Sequence, residues 1–134
     1  MKKRVLVVDD EQDILSLVSA MLGERYDVIV AHEGQEALEV ARRQSPDLII
    51  LDILMPRMNG YEVLRALKAD PATTHVKVIM LTALAQQADR ERAQAAGADG
   101  FLVKPFSTTM LLDSVIQALD LGPEDEAAAS DRAT

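Results

Sequence analysis

The sequence predicts an α/β protein built on a doubly wound, five-stranded parallel sheet, and two observations carry that prediction. Five short aliphatic or β-branched runs recur along the chain without polar alternation, as strands covered on both faces do. Between them lie stretches whose apolar residues repeat with helical period, so strand and helix alternate as in parallel βα units. Right-handed crossovers then give an open sheet with its ligand site at the carboxyl ends of the strands, where the strand order reverses. The 134 residues contain no repeat beyond the βα unit and suit one domain.

The five runs are residues 5–8, 28–31, 48–51, 76–81 and 101–103. In the first helical stretch Ile14, Leu15, Val18, Met21 and Leu22 share a face, and Gly23 follows as a stop. The second, residues 34–44, carries Ala37, Leu38 and Ala41 and ends before Ser45-Pro46. The third carries Val63, Leu64 and Leu67 and is closed by Asp70-Pro71, because the residue before a proline disfavours helix. The fourth, residues 85–96, offers only alanines such as Ala88, Ala95 and Ala96 as an inward face. An alanine face gains little at ~25 cal/mol per Å² of apolar area, so this helix is expected to be the loosest. The fifth uses Leu111, Leu112, Val115, Ile116 and Leu119. Residues 1–121 thus read as the domain, and residues 122–134 as a disordered acidic tail or the start of a linker.

Composition narrows the function. Hydrophobic residues make up 49% and charged residues 27%, enough apolar surface for a core. The absence of cysteine excludes a disulfide framework, a thiolate zinc site and a catalytic thiol, and it suits a reducing, cytoplasmic setting. Twenty-two acidic against 14 basic residues give a formal charge of −8, whose field repels nucleic acid phosphates and anionic lipid. Neither direct nucleic acid binding nor membrane attachment is expected. Lys2, Lys3 and Arg4 precede an apolar run too short for a signal peptide, and Asp9-Asp10 ends it.

Those two aspartates follow the first strand, and Asp52 follows the third. If the strand order is 2-1-3-4-5, the first and third strands are neighbours and the three carboxylates converge. Two like charges about 4 Å apart repel by about 4 kcal/mol at an effective dielectric of ~20, so the cluster calls for protonation or a hard cation. Mg²⁺, which takes one or two protein carboxylates and keeps water and phosphate oxygens, suits such a pocket. Thr82 ends the fourth strand with a hydroxyl and Lys104 ends the fifth with an ammonium, at the same edge. Together these groups describe a phosphoryl site. Lys104-Pro105 is a candidate cis peptide.

The segments Val7-Val8-Asp9-Asp10, Leu51-Asp52-Ile53-Leu54-Met55-Pro56 with Asn59-Gly60, Leu81-Thr82-Ala83, and Phe101-Leu102-Val103-Lys104-Pro105-Phe106 resemble the receiver domain of two-component response regulators. Each motif alone is weak, but four in order at strand ends, across residues 3–121, form a specific signal. The resemblance implies a flavodoxin-like (βα)5 fold with Asp52 as phosphoacceptor, taking its phosphoryl group from a phosphohistidine of a sensor histidine kinase or phosphotransfer protein. It implies Mg²⁺, with Mn²⁺ as a substitute, held by Asp9, Asp10, Asp52 and the backbone carbonyl of Leu54. Thr82, Ala83 and Lys104 would form the phosphoryl-binding and switch set, with Phe101 as the aromatic switch. Output would pass to a downstream protein or fused effector through the face of the fourth helix, fifth strand and fifth helix. Such a domain is not an enzyme on external substrates; it catalyses only its own phosphorylation and a slow autodephosphorylation, since Leu54 and Leu84 flank the line of water attack.

Other readings compete with these. Asp9, Asp10 and Asp52 could be helix-capping loop acids, Thr82 could be a helix N-cap, Asn59-Gly60 reads as a turn supplying positive φ, and the run Arg90-Glu91-Arg92 reads as a solvated face. His32 and His75 read as incidental surface residues. A haloacid-dehalogenase-like phosphatase would need a second aspartate two residues after the nucleophile on the first strand, followed by a threonine, and Asp9-Asp10-Glu11-Gln12-Asp13 lacks that pattern. A nucleotide or flavin binder needs a loop rich in Gly, Ser or Thr there. A contact-only pseudo-receiver would not need Asp10, Asp52, Thr82 and Lys104 together. The fifth helix lacks the arginines of winged-helix regulators, which argues against their dimer, and residues 67–73 look more like stand-alone receivers or those joined to cyclases or kinases.

Overall fold

The computed structural model describes residues 2–83 and 86–120; the expected tail at 122–134, Leu84 and the first expected residue of the fourth helix, Ala85, lie outside them. The elements alternate as β1 (Arg4–Val8), α1 (Gln12–Leu22), β2 (Asp27–Ala31), α2 (Gly34–Gln44), β3 (Leu48–Asp52), α3 (Gly60–Ala69), β4 (Lys77–Thr82), α4 (Gln87–Ala95), β5 (Gly100–Val103) and α5 (Thr108–Asp120). The strands form one parallel sheet in the order β2-β1-β3-β4-β5. The chain winds outward from β1 in one direction to β2 and then reverses to β3, which fixes the switch point between the ends of β1 and β3.

Strand alternation sorts the core into two layers. Val5, Val7, Leu48, Ile50, Ile79 and Leu81 point to one face, where Leu15, Val18 and Leu22 of α1 and Leu111, Val115 and Ala118 of α5 cover them. Leu6, Val8, Ile49, Leu51, Val78 and Met80 point to the other, under α2, α3 and α4. Burying each large aliphatic side chain contributes about 1.5–3 kcal/mol, and β3, buried along its whole length, is the centre of both layers. On α5 the expected face holds at Leu111 and Val115, with Leu112 and Leu119 half-buried, whereas Ile116 is exposed and Ala118 takes the inward place.

The fourth helix is anchored as weakly as its composition implies, but by a different residue. Ala93 is its single buried side chain, while Ala88, Ala95 and Ala96 are exposed. Alanines stand all around this helix, so their spacing does not set its rotational phase. Two guanidinium contacts accompany the observed phase. Arg90 lies 5.0 Å from the centroid of Phe101 on β5, and Arg92 lies 4.0 Å from that of Tyr61 on α3.

Asn59-Gly60 is not a turn of positive φ. Asn59 is the N-cap of α3, its side chain accepting from the Glu62 N–H while the Glu62 carboxylate accepts from the Asn59 N–H, a reciprocal capping box. Gly60 is there because a Cβ would stand 2.6 Å from the Asp52 carbonyl oxygen and 2.8 Å from Ile53 Cα. The Gly60 N–H donates to the Ile53 carbonyl at 2.8 Å, so the start of α3 is stitched to the loop that carries Asp52. Among the described residues no helix is long and apolar enough to cross a membrane.

Candidate functional site

Four of the five β-strands deliver polar groups to the carboxyl edge of the sheet. Asp9 and Asp10 follow β1, Asp52 and Thr82 are the last residues of β3 and β4, and Lys104 follows β5. Backbone bonds hold these ends in register: Ile53 N–H donates to the Leu81 carbonyl at 3.0 Å, and Lys104 N–H to the Thr82 carbonyl at 2.7 Å. One oxygen from each of Asp9, Asp10 and Asp52 lies within 4.8 Å of the others. Asp9 is fully buried and Asp52 is 4% exposed, while Asp10 faces solvent and forms the mouth.

Lys104 enters this acidic pocket from the side. Its Nζ donates to Asp9 Oδ2 at 3.0 Å and stands 3.6 Å from Asp52 Oδ1. The other Asp9 oxygen accepts the Glu11 N–H at 2.9 Å, so both its oxygens are engaged. Glu11, with no side-chain cap bond, is the N-cap of α1, so Asp9 and Asp10 do not cap that helix. Likewise α4 is capped at Gln86, and Thr82, 1% exposed, is not its cap. Ala83 is exposed just beyond it, Phe101 is half-buried against the core, and the Lys104–Pro105 peptide is cis.

The electrostatics follow from this crowding. Burial, reinforced by the charge of Asp9, pushes the Asp52 carboxyl up from 3.8 to about 6, although Lys104 and the N–H of Leu54 pull it back; Asp10 adds a smaller push. Burial works against the Lys104 ammonium, yet its hydrogen bond to Asp9 and the charges of Asp52, Asp9 and Glu11 outweigh that and raise its pKa. Three carboxylates facing one ammonium leave uncompensated negative charge in a half-enclosed, all-oxygen pocket. That donor set fits a hard divalent cation. The Leu54 side chain, 60% exposed, stands clear of the core.

Thus Asp9, Asp10, Asp52 and Lys104 converge, and Thr82 ends the neighbouring strand. Two residues were missed by sequence reasoning. Arg90 and Arg92 read as a solvated face but cover aromatic rings on other elements, and no local spacing in the sequence could have paired them. His32, although on the surface, is not isolated: its ring nitrogens meet Gln12 Oε1 at 3.1 Å and Glu36 Oε1 at 3.4 Å.

A doubly wound sheet with an acidic, lysine-bearing pocket at its switch point defines a class of phosphoacceptor signalling modules. The family model for the response regulator receiver domain matches residues 5–116, and the chain belongs to that family, the receivers of two-component response regulators. Response regulator PleD of Caulobacter vibrioides is 43% identical over 116 residues, which is 86% of this chain and 26% of PleD. The probable transcriptional regulator ycf27 of Porphyridium aerugineum is 40% identical over 123 residues, 89% of this chain and 50% of that protein. The chain therefore spans half or less of the length of these relatives. Among solved structures, chemotaxis response regulator CheY4 of Vibrio cholerae superposes with a TM-score of 0.84 at 35% identity, covering 89% of this chain and 100% of CheY4. The BeF3-activated DrrB receiver domain superposes with a TM-score of 0.81 at 30% identity, covering 90% of this chain and 100% of that domain.

Proposed function

We propose that Asp52 is the phosphoacceptor and that the chain takes its phosphoryl group from the phosphohistidine of a sensor histidine kinase or phosphotransfer protein. An Asp52 carboxylate oxygen attacks phosphorus, the O–P bond forms as the N–P bond breaks, and the electron pair returns to the imidazole nitrogen of the donor. The observation that carries this reading is the position of Lys104, whose ammonium sits between Asp9 and Asp52 at 3.0 and 3.6 Å and can turn to a phosphoryl oxygen on Asp52 without leaving the pocket.

Asp9, Asp10 and Asp52, with the backbone carbonyl of Leu54, would hold Mg²⁺, or Mn²⁺ in its place. When bound, the ion supplies positive charge against the phosphoryl oxygens as charge redistributes among them. Thr82 donates its hydroxyl to one of those oxygens, and Ala83 moves with it. The shift releases α4, whose single buried side chain is Ala93, and Phe101 fills the space left behind. This is a population shift between two arrangements of one fold, read by a downstream protein or fused effector on the α4-β5-α5 face. Residues 1–121 act as the signalling unit in the cytoplasm.

The test is to incubate the protein with Mg²⁺ and acetyl phosphate and weigh it intact. The wild type gains one phosphate and Asp52→Asn gains none; a gain that persists in Asp52→Asn overturns the assignment.

A further inference from the structure

A cleft of about 290 Å³ between α3 and α4 is lined by Tyr61, Arg65, Lys68, Arg92 and Ala96. Three of its five lining residues are cationic and none is acidic, in a chain whose formal charge is −8. Among the described residues no carboxylate forms an ion pair with Arg65, Lys68 or Arg92. Asp89, whose charge reaches the Tyr61 phenol, does not line the cleft. Like charges gathered in a concavity with no counter-charge repel one another, and an anion seated among them relieves that repulsion.

The cleft is also organised. Arg65 and Lys68 are three residues apart on α3 and therefore neighbours on its surface. The Arg92 guanidinium is stacked on the Tyr61 ring at 4.0 Å, which orients its N–H fork and keeps it flat. The Lys68 stem lies in ordinary contact with Gly97, its Cε 3.5 Å from where a Cβ would stand, and the φ of +100° favours glycine at this position just past α4. A planar fork and two further cations around a cavity of this size match the oxygens of a phosphate group.

We propose that this cleft binds a phosphate-bearing small anion, independently of the phosphoacceptor pocket, and that the bound anion bridges α3 to α4. The shared chemistry is a phosphoanhydride or phosphate ester; the stacked Arg92–Tyr61 pair gives a nucleotide ring a second surface that an inorganic anion would not use. By linkage, an anion that ties α4 to α3 opposes any movement of α4 that accompanies phosphorylation.

The probes are inorganic pyrophosphate and adenosine diphosphate, titrated by calorimetry and amide NMR with chelator present and in an Asp52→Asn background, so that neither metal nor the acidic pocket contributes. Amide shifts confined to Tyr61–Lys68 and Arg92–Gly97 are expected. Binding should weaken about tenfold in each of Arg65→Gln and Arg92→Gln and stay unchanged in Arg25→Gln, an exposed cation elsewhere. Tighter binding of the diphosphate nucleotide than of pyrophosphate identifies a nucleotide as the source, and equal binding an inorganic anion. Affinity equal in Arg65→Gln, Arg92→Gln and Arg25→Gln, or binding of a glutamate-rich peptide while both phosphate probes fail, overturns the proposal.

Discussion

Gly60→Ala is expected to impair the proposed phosphoacceptor, Asp52, without touching its carboxylate. The new Cβ would stand 2.6 Å from the Asp52 carbonyl oxygen, 2.8 Å from Ile53 Cα and 3.2 Å from the Asp52 carbonyl carbon, all backbone atoms that cannot rotate away. Ordinary contact begins at 3.4 Å, so 3.4 less 2.6 leaves 0.8 Å to be opened between α3 and the β3 end. The 2.8 Å bond from Gly60 N–H to the Ile53 carbonyl resists that opening. Overpacking of this kind costs about 1–3 kcal/mol, and clashes with fixed backbone belong at the upper end; the better helix propensity of alanine returns at most about 1, which leaves a net loss of about 2 kcal/mol. Gly34→Ala is the matched control at the first residue of α2. Its Cβ would meet side chains rather than the Asp52 backbone: Met58 Sδ at 2.9 Å and Met58 Cβ at 3.0 Å, where the half-buried Met58 can partly yield, and Val63 Cγ2 at 2.8 Å, where the fully buried valine gives only if α2 and α3 shift apart. Urea midpoints and the rate of phosphorylation by acetyl phosphate should be measured on both. Gly60→Ala should fall in stability and phosphorylate several-fold more slowly, while Gly34→Ala, whose clashes do not involve the backbone that carries Asp52, should also lose stability but keep its rate. Equal stability and rate in Gly60→Ala and wild type would refute the reasoning.

Other outcomes follow from the same geometry. Mg²⁺ should raise the melting temperature of the wild type by occupying the acidic pocket, and Asp10→Ala should abolish most of that rise; an undiminished shift in a thermal melt would place the ion elsewhere. Lys104→Met should destabilise the metal-free protein by about 3 kcal/mol in urea unfolding, because it leaves the buried Asp9 charge facing Asp52 unpaired. The Ala72 N–H and the Arg42 guanidinium hold the Asp70 carboxyl below its ordinary range. Its contribution is therefore present above the unfolded pKa of 3.8 and lost as pH falls through the folded value, so Asp70→Asn should narrow the gap in urea midpoint between neutral pH and pH ~3. Leu54 offers no hydrogen bond to an attacking water, so Leu54→Asn should shorten the phosphoryl lifetime, read as loss of phosphate from the purified protein; an unchanged rate would show that this side chain does not set it.

The sheet was legible because its strands are buried on both faces, so residues 5–8 or 48–51 had to be apolar throughout and could be little else. The site was legible for a related reason: parallel strands end at one edge, so a polar residue directly after each apolar run has its place fixed by topology. Asp9, Asp52 and Lys104 are of this kind. What escaped were contacts between elements distant in sequence. Gly60 resembles any turn glycine until Asp52 is seen behind it, and Arg92 resembles any surface arginine until Tyr61 is seen beneath it. The phase of α4 escaped because an alanine-rich helix carries no large side chain to declare its inner face.

That same poverty of α4 separates two kinds of information in the chain. With Ala93 alone among its residues committed to the core, and Arg90 and Arg92 set against aromatic rings, the remaining positions of Gln87–Ala95 contribute almost nothing to specifying the fold. On the proposed α4-β5-α5 output face their identities are free to be rewritten as a recognition code, so that a lineage that exchanged Gln87, Glu91 or Gln94 could change the partner it addresses while the sheet beneath went on folding as before.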